Sequence, residues 1–123
     1  MAALREFAPR CDGFNVLAAE VSWRDGKPRS VHATPDFAAL AALGRPIGLS
    51  LRIGAFGGPF ADDDTAARML AGLATELLAA ARTGGVEPAE LQIDFDCAES
   101  KLTGYRRWLT ALRRATGRTP LVF

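Results

Sequence analysis

The residues best suited to chemistry fall in one short segment. In Glu90-Leu-Gln-Ile-Asp-Phe-Asp96 the carboxylates of Asp94 and Asp96 stand two positions apart. On an extended chain that spacing puts both on one side, about 7 Å apart, and Gln92 shares that side. Paired carboxylates at the C-terminal end of a strand can act as acid and base or hold a divalent cation. Charges on so apolar a strand are costly unless they line a cavity or are paired, so a structural ion pair is the alternative. Glu20 and Arg52 end the two preceding apolar stretches, 14–21 and 46–54. With strands about 4.8 Å apart, adjacency of all three would gather Glu20, Arg52, Asp94 and Asp96 into one polar cluster. There Arg52 can hold a substrate carboxylate or neutralise Asp94, and it is expected to meet Asp94 in a partly desolvated place. Gln92, deeper on the same side, is expected to hydrogen-bond Arg52 or Asp94. Trp23 follows the first stretch, placed either to stack on a sugar ring or to cover the core edge.

Other reactive types are poorly placed. His32 is the lone histidine and sits in a polar stretch. Ser100 has no histidine beside it and suits a helix cap better than a nucleophile. The segment Gly54-Ala-Phe-Gly-Gly-Pro-Phe60 lacks the Lys-Ser/Thr of a phosphate loop and the spacing of a dinucleotide fingerprint. Asp62, Asp63 and Asp64 suit a helix N-terminus and do not have calcium-loop spacing. Cys11 and Cys97 match no metal or redox spacing, which also excludes a disulfide scaffold. No cofactor and no metal centre is expected.

The elements that must position the carboxylates alternate. Strands are predicted at 14–20, 47–53, 90–95 and 119–122, with 22–34 as a loop. A short helix follows Pro35, with Thr34 as its cap and Gly44 as its stop. Leu70, Leu73, Leu77 and Ala81 recur at helical spacing, as do Tyr105, Leu109 and Leu112, which predicts helices over 64–82 and 100–115. The order β-α-β-α-β-α-β implies parallel strands joined by right-handed crossovers. A parallel sheet covered on both faces should be apolar on both sides of each strand. Here Leu49, Leu51 and Ile53 alternate with Gly48, Ser50 and Arg52, and Leu91, Ile93 and Phe95 with Gln92, Asp94 and Asp96. One face is polar and the helices cover the other. The fold class is therefore α/β, read as half of a (β/α)8 barrel, with an open doubly wound sheet as the alternative. Residues 1–13 form an N-terminal extension and 14–123 a single domain.

Composition narrows the partners. The chain of 123 residues is 49% hydrophobic and 24% charged, enough apolar content for a core. Its net charge is +1, so nucleic acid and membrane surfaces are disfavoured. No apolar run approaches the roughly 20 residues of a membrane span. The first ten residues contain Glu6 and Pro9 and no apolar signal core. An isolated half-barrel would leave sheet edges uncovered, so self-association is expected.

The segment Leu91-Gln-Ile-Asp-Phe-Asp-Cys-Ala-Glu-Ser-Lys-Leu102, with Tyr105, Leu109, Leu112 and Arg113 after it, resembles the signature of a bacterial family of uncharacterised proteins, the domain of unknown function 3142. Val16-Leu-Ala-Ala-Glu-Val21 and the stretch from Leu40 to Arg52 resemble the same family. The resemblance implies a longer protein, often exported or lipid-anchored, of which this chain matches an N-terminal part. Strand four of family-18 chitinase-like barrels is also similar: of its Asp-x-x-Asp-x-Asp-x-Glu, the second and third Asp fall on Asp94 and Asp96. Its first Asp falls on Leu91 and its acid on Ala98.

These readings converge on a glycoside-hydrolase-like barrel fragment that acts on or binds carbohydrate. Asp94 and Asp96 are its central residues, with Glu20, Trp23, Arg52 and Gln92 around the substrate. A non-catalytic ligand-binding barrel with a structural polar lumen and a divalent-metal-dependent hydrolase are the alternatives.

Overall fold

The computed structural model describes residues 13–54, 56, 65–95 and 102–123. β1 (Phe14–Arg24) turns into β2 (Lys27–His32), and α1 (Phe37–Ala42) leads to β3 (Ile47–Ile53). Then come α2 (Thr65–Thr83), β4 (Leu91–Phe95), α3 (Leu102–Thr116) and β5 (Leu121–Val122). One mixed sheet has the order β2-β1-β3-β4-β5, antiparallel only between β1 and β2. The four parallel strands lie side by side in sequence order, which the alternation alone leaves open.

Leu49, Leu51, Leu91 and Ile93 join Leu70, Leu78 and Leu112 of the helices in one core. The apolar stripes of α2 and α3 bury against the sheet, because successive right-handed crossovers in one direction put these two helices on the same side. The far face of the sheet carries Asn15, Glu20, Arg52 and Asp94, all exposed. Behind α2, Arg82 forks onto Glu87 at 3.0 Å and donates to Thr119 at 3.0 Å, tying the helix end to the approach of β5. That hydrogen bond holds the Glu87 carboxyl below its ordinary pKa.

Two local expectations are corrected. Residues 22–34 are not a loop: β1 runs on to Arg24 and returns as β2. Asp25 and Gly26 both take positive φ, 53° and 74°, the two-residue turn whose twist matches a hairpin. Residues 27–32 lack apolar alternation because every one of them is exposed, so only ladder hydrogen bonds define the strand. The cap of α1 is Asp36, whose carboxylate accepts from the Ala39 N–H at 3.0 Å. Thr34, the expected cap, sits two residues earlier at φ 45°.

A register shift lies between Leu17 and Ala19. Strict alternation from Phe14 would carry Val16, Ala18 and Glu20 to one face, which would drive the Glu20 carboxylate into the core. The bulge resets the parity. Beyond it Ala19 and Val21 are buried, while Glu20 pairs in register with Arg52 on the open face.

Candidate functional site

Glu20, Arg52 and Asp94 occupy one rung across three adjacent strands: Glu20 is the register partner of Arg52, and Arg52 of Asp94. The rung lies near the C-terminal ends of β3 and β4, on the face opposite α2 and α3. The Arg52 Nε stands 3.5 Å from a carboxylate oxygen of Asp94, with the two side chains 53% and 60% exposed. The expected convergence of Asp94 with Arg52 is present. The expected desolvation is not: among the described residues no layer lies over this face, and both side chains are more than half exposed. An exposed pair of this kind contributes about 0.2–1 kcal/mol. Asp94→Asn is therefore expected to lower stability by less than about 1 kcal/mol. A loss above about 3 kcal/mol, the cost of orphaning a buried charge, would contradict the exposure described. Chemical denaturation decides.

Gln92 does not meet Arg52 or Asp94. Its side-chain carbonyl accepts from the Asn15 amide, across the intervening strand β3. Gly48 makes that bridge possible, because a Cβ there would meet the Asn15 Oδ1 at 2.7 Å. Residue type alone does not mark Asn15; the signal is the glycine at its register position on the intervening strand. The Asn15–Gln92 bridge runs diagonally from the Gly48 rung to the Ser50 rung, and Arg52 stands on the next rung above.

Trp23 lies on the other side of the sheet. It is half-buried and stacked on Trp108 with ring centroids 5.5 Å apart, and Phe56 meets its edge at 5.0 Å. Phe95 stacks on the other flank of Trp108 at 5.4 Å and meets Tyr105 edge-on at 4.7 Å. These rings seal the core at the same end of the sheet as the Glu20–Arg52–Asp94 rung, and hold β1 and β4 against α3. His32 stands 3.9 Å from Glu76 of α2, on the helix side. Asp96, Cys97, Ser100, the three aspartates 62–64 and Cys11 lie outside the described residues.

Among the described residues, no three His, Cys, Asp or Glu side chains gather closely enough to hold a metal ion. No helix among them is long and apolar enough to cross a membrane. The arrangement can do two things: accept hydrogen bonds through the Glu20 and Asp94 carboxylates, and donate them through Arg52 between the two. That donor–acceptor alternation, spread over about 10 Å of sheet, suits a polyhydroxylated ligand.

No curated protein and no solved structure matches the chain. The model of a family described as domain of unknown function (DUF3142) matches residues 44–120, from the turn before β3 to the residue before β5. That match covers more than half of the chain, and with it the β3 and β4 carriers of Arg52 and Asp94, so the protein belongs to the DUF3142 family.

Proposed function

We propose that the chain is a carbohydrate-binding unit of (β/α)-barrel type whose ligand lies across the open sheet face. Glu20 and Asp94 accept hydrogen bonds from sugar hydroxyls, and Arg52 donates to them. The observation that carries the reading is the Glu20–Arg52–Asp94 rung, on the face opposite α2 and α3 and near the C-terminal ends of consecutive parallel strands. In (β/α) barrels that end is where substrates bind, an argument from fold analogy. The order of the four parallel strands supports the barrel-type reading, because a (β/α) barrel winds its strands in sequence order. A second copy pairing at the β5 edge belongs to the same proposal. Sedimentation velocity at rising concentration tests it, and a monomer throughout removes it.

Hydrolysis is the stronger form of the reading. It requires a second carboxyl placed as acid or base across the scissile bond from Asp94. Asp96 is the sequence candidate, and release of reducing ends from a glycan separates enzyme from binder. Binding itself is tested by titrating neutral oligosaccharides and following backbone amide shifts. The expected result is that shifts concentrate at Glu20, Arg52 and Asp94, with Asp94→Asn weakening affinity about tenfold, or ~1.4 kcal/mol. Shifts confined to the helix side, or an affinity that Asp94→Asn leaves unchanged, would overturn the assignment.

A further inference from the structure

The β1–β2 hairpin outruns the sheet. Pairing of β1 with β3 stops at Val21, and three more residues of β1 continue to Arg24 before the turn. The arm therefore projects about 10 Å past the last shared rung. Its charge is concentrated. Residues 22–30 hold Arg24, Lys27 and Arg29 against Asp25, a net +2, whereas the whole chain carries +1.

Register assigns the three cations to one face. Arg24 follows Glu20 by four positions along β1, so the two point the same way. Lys27 is the cross-strand partner of Arg24, and Arg29 that of Ser22, which places both on that side as well. Trp23, Pro28 and Ser30 take the opposite, helix-facing side. Basic residues and a proline on an edge strand also deter edge-to-edge pairing. Edge protection, however, places no demand on which face the cations share. Arg24, Lys27 and Arg29 are exposed, and among the described residues none is in an ion pair.

We propose that this arm is the anion-recognition element of the open face, and that the ligand is an anionic polysaccharide. The proposal rests on the carbohydrate reading and names its substrate class. Carboxylate or sulfate groups of the glycan meet Arg24, Lys27 and Arg29, while its hydroxyls meet the Glu20–Arg52–Asp94 rung. Guanidinium forks bind either oxyanion through paired hydrogen bonds. Duplex DNA fits less well, because it has no free sugar hydroxyls to donate to the Glu20 and Asp94 carboxylates on the same face.

The test compares the full chain with two variants, Arg24→Gln/Lys27→Gln/Arg29→Gln and Glu20→Gln/Asp94→Asn. The probes are polygalacturonate, dextran sulfate, neutral dextran and duplex DNA, each measured at low and high salt. The expected result is binding of the two anionic glycans in preference to neutral dextran and DNA, weakening as salt rises. Polygalacturonate against dextran sulfate tells which oxyanion is preferred. The arm variant should bind at least tenfold more weakly with an unchanged unfolding curve, since its side chains are exposed. Unchanged affinity in the arm variant, neutral dextran bound as tightly as the anionic glycans, DNA bound tightest, or no binding of any probe each overturns the proposal. Neutral glycan binding lost only in the rung variant would leave the carbohydrate reading standing without the arm. Anion binding lost in the arm variant and untouched in the rung variant would keep the arm as an anion site and remove the rung from it.

Discussion

Trp108→Ala is expected to destabilise the protein by about 3–5 kcal/mol, the cost of deleting a large buried aromatic side chain. Trp108 is 3% exposed, and its ring is stacked between Trp23 and Phe95 with Phe56 against it at 5.2 Å. Each such ring pair is worth about 0.5–1.5 kcal/mol beyond the area it buries. Three elements meet at this ring: β1 through Trp23, β4 through Phe95 and α3 through Trp108 itself. The surrounding rings are rigid and cannot collapse into the space left behind, so the cavity term adds to the transfer term. Against a typical total of about 5–15 kcal/mol, the variant would be left marginal. Urea unfolding followed by far-UV circular dichroism measures the loss, and Trp108→Phe, which keeps one ring in place, should lose less. A change within the roughly ±0.5 kcal/mol of surface substitutions would mean that the stack is not part of the core.

Gly84→Ala should also destabilise, by about 1–3 kcal/mol, although removing a glycine ordinarily stiffens the unfolded chain and stabilises. A Cβ at residue 84 would meet the Phe37 Cβ at 2.4 Å. The Phe37 Cβ is bonded to its own backbone and cannot swing aside by a rotamer change. α1 must then shift off the end of α2, carrying the buried Leu40 with it. The melting temperature should fall by roughly 4 °C per kcal/mol. Pairing the change with Phe37→Ala removes the clash, so the double variant should lose less than the sum of the single losses. A Gly84→Ala protein that melts at or above the parent temperature would show that the two helices are not in this contact.

Neither effect is visible from residue types. Trp108 reads as an apolar residue beside a helix stripe, and Gly84 as part of the Thr83-Gly84-Gly85 helix end. Their weight comes from partners far along the chain, at Trp23, Phe95 and Phe37. The Asn15–Gln92 bridge is similar, since it depends on Gly48 leaving room on β3, the strand that the fold places between β1 and β4.

The sequence by itself determined the period. Leu49, Leu51 and Ile53 alternating with Ser50 and Arg52, and Leu91 and Ile93 alternating with Gln92 and Asp94, decide which side of β3 and β4 is buried. Two long helical stripes between strands then dictate parallel pairing, because a crossover helix returns the chain to the same end of the sheet. These are local signals, carried by side-chain spacing alone. Tertiary structure decided what spacing cannot encode. Whether Asp94 keeps water depends on what covers the sheet. The hairpin rests on ladder hydrogen bonds between polar residues, for which hydrophobic period has no sign. Glu20 reaches the rung of Arg52 only because the bulge after Leu17 reverses the alternation of β1, and it is pairing with β3 that holds that bulge in place.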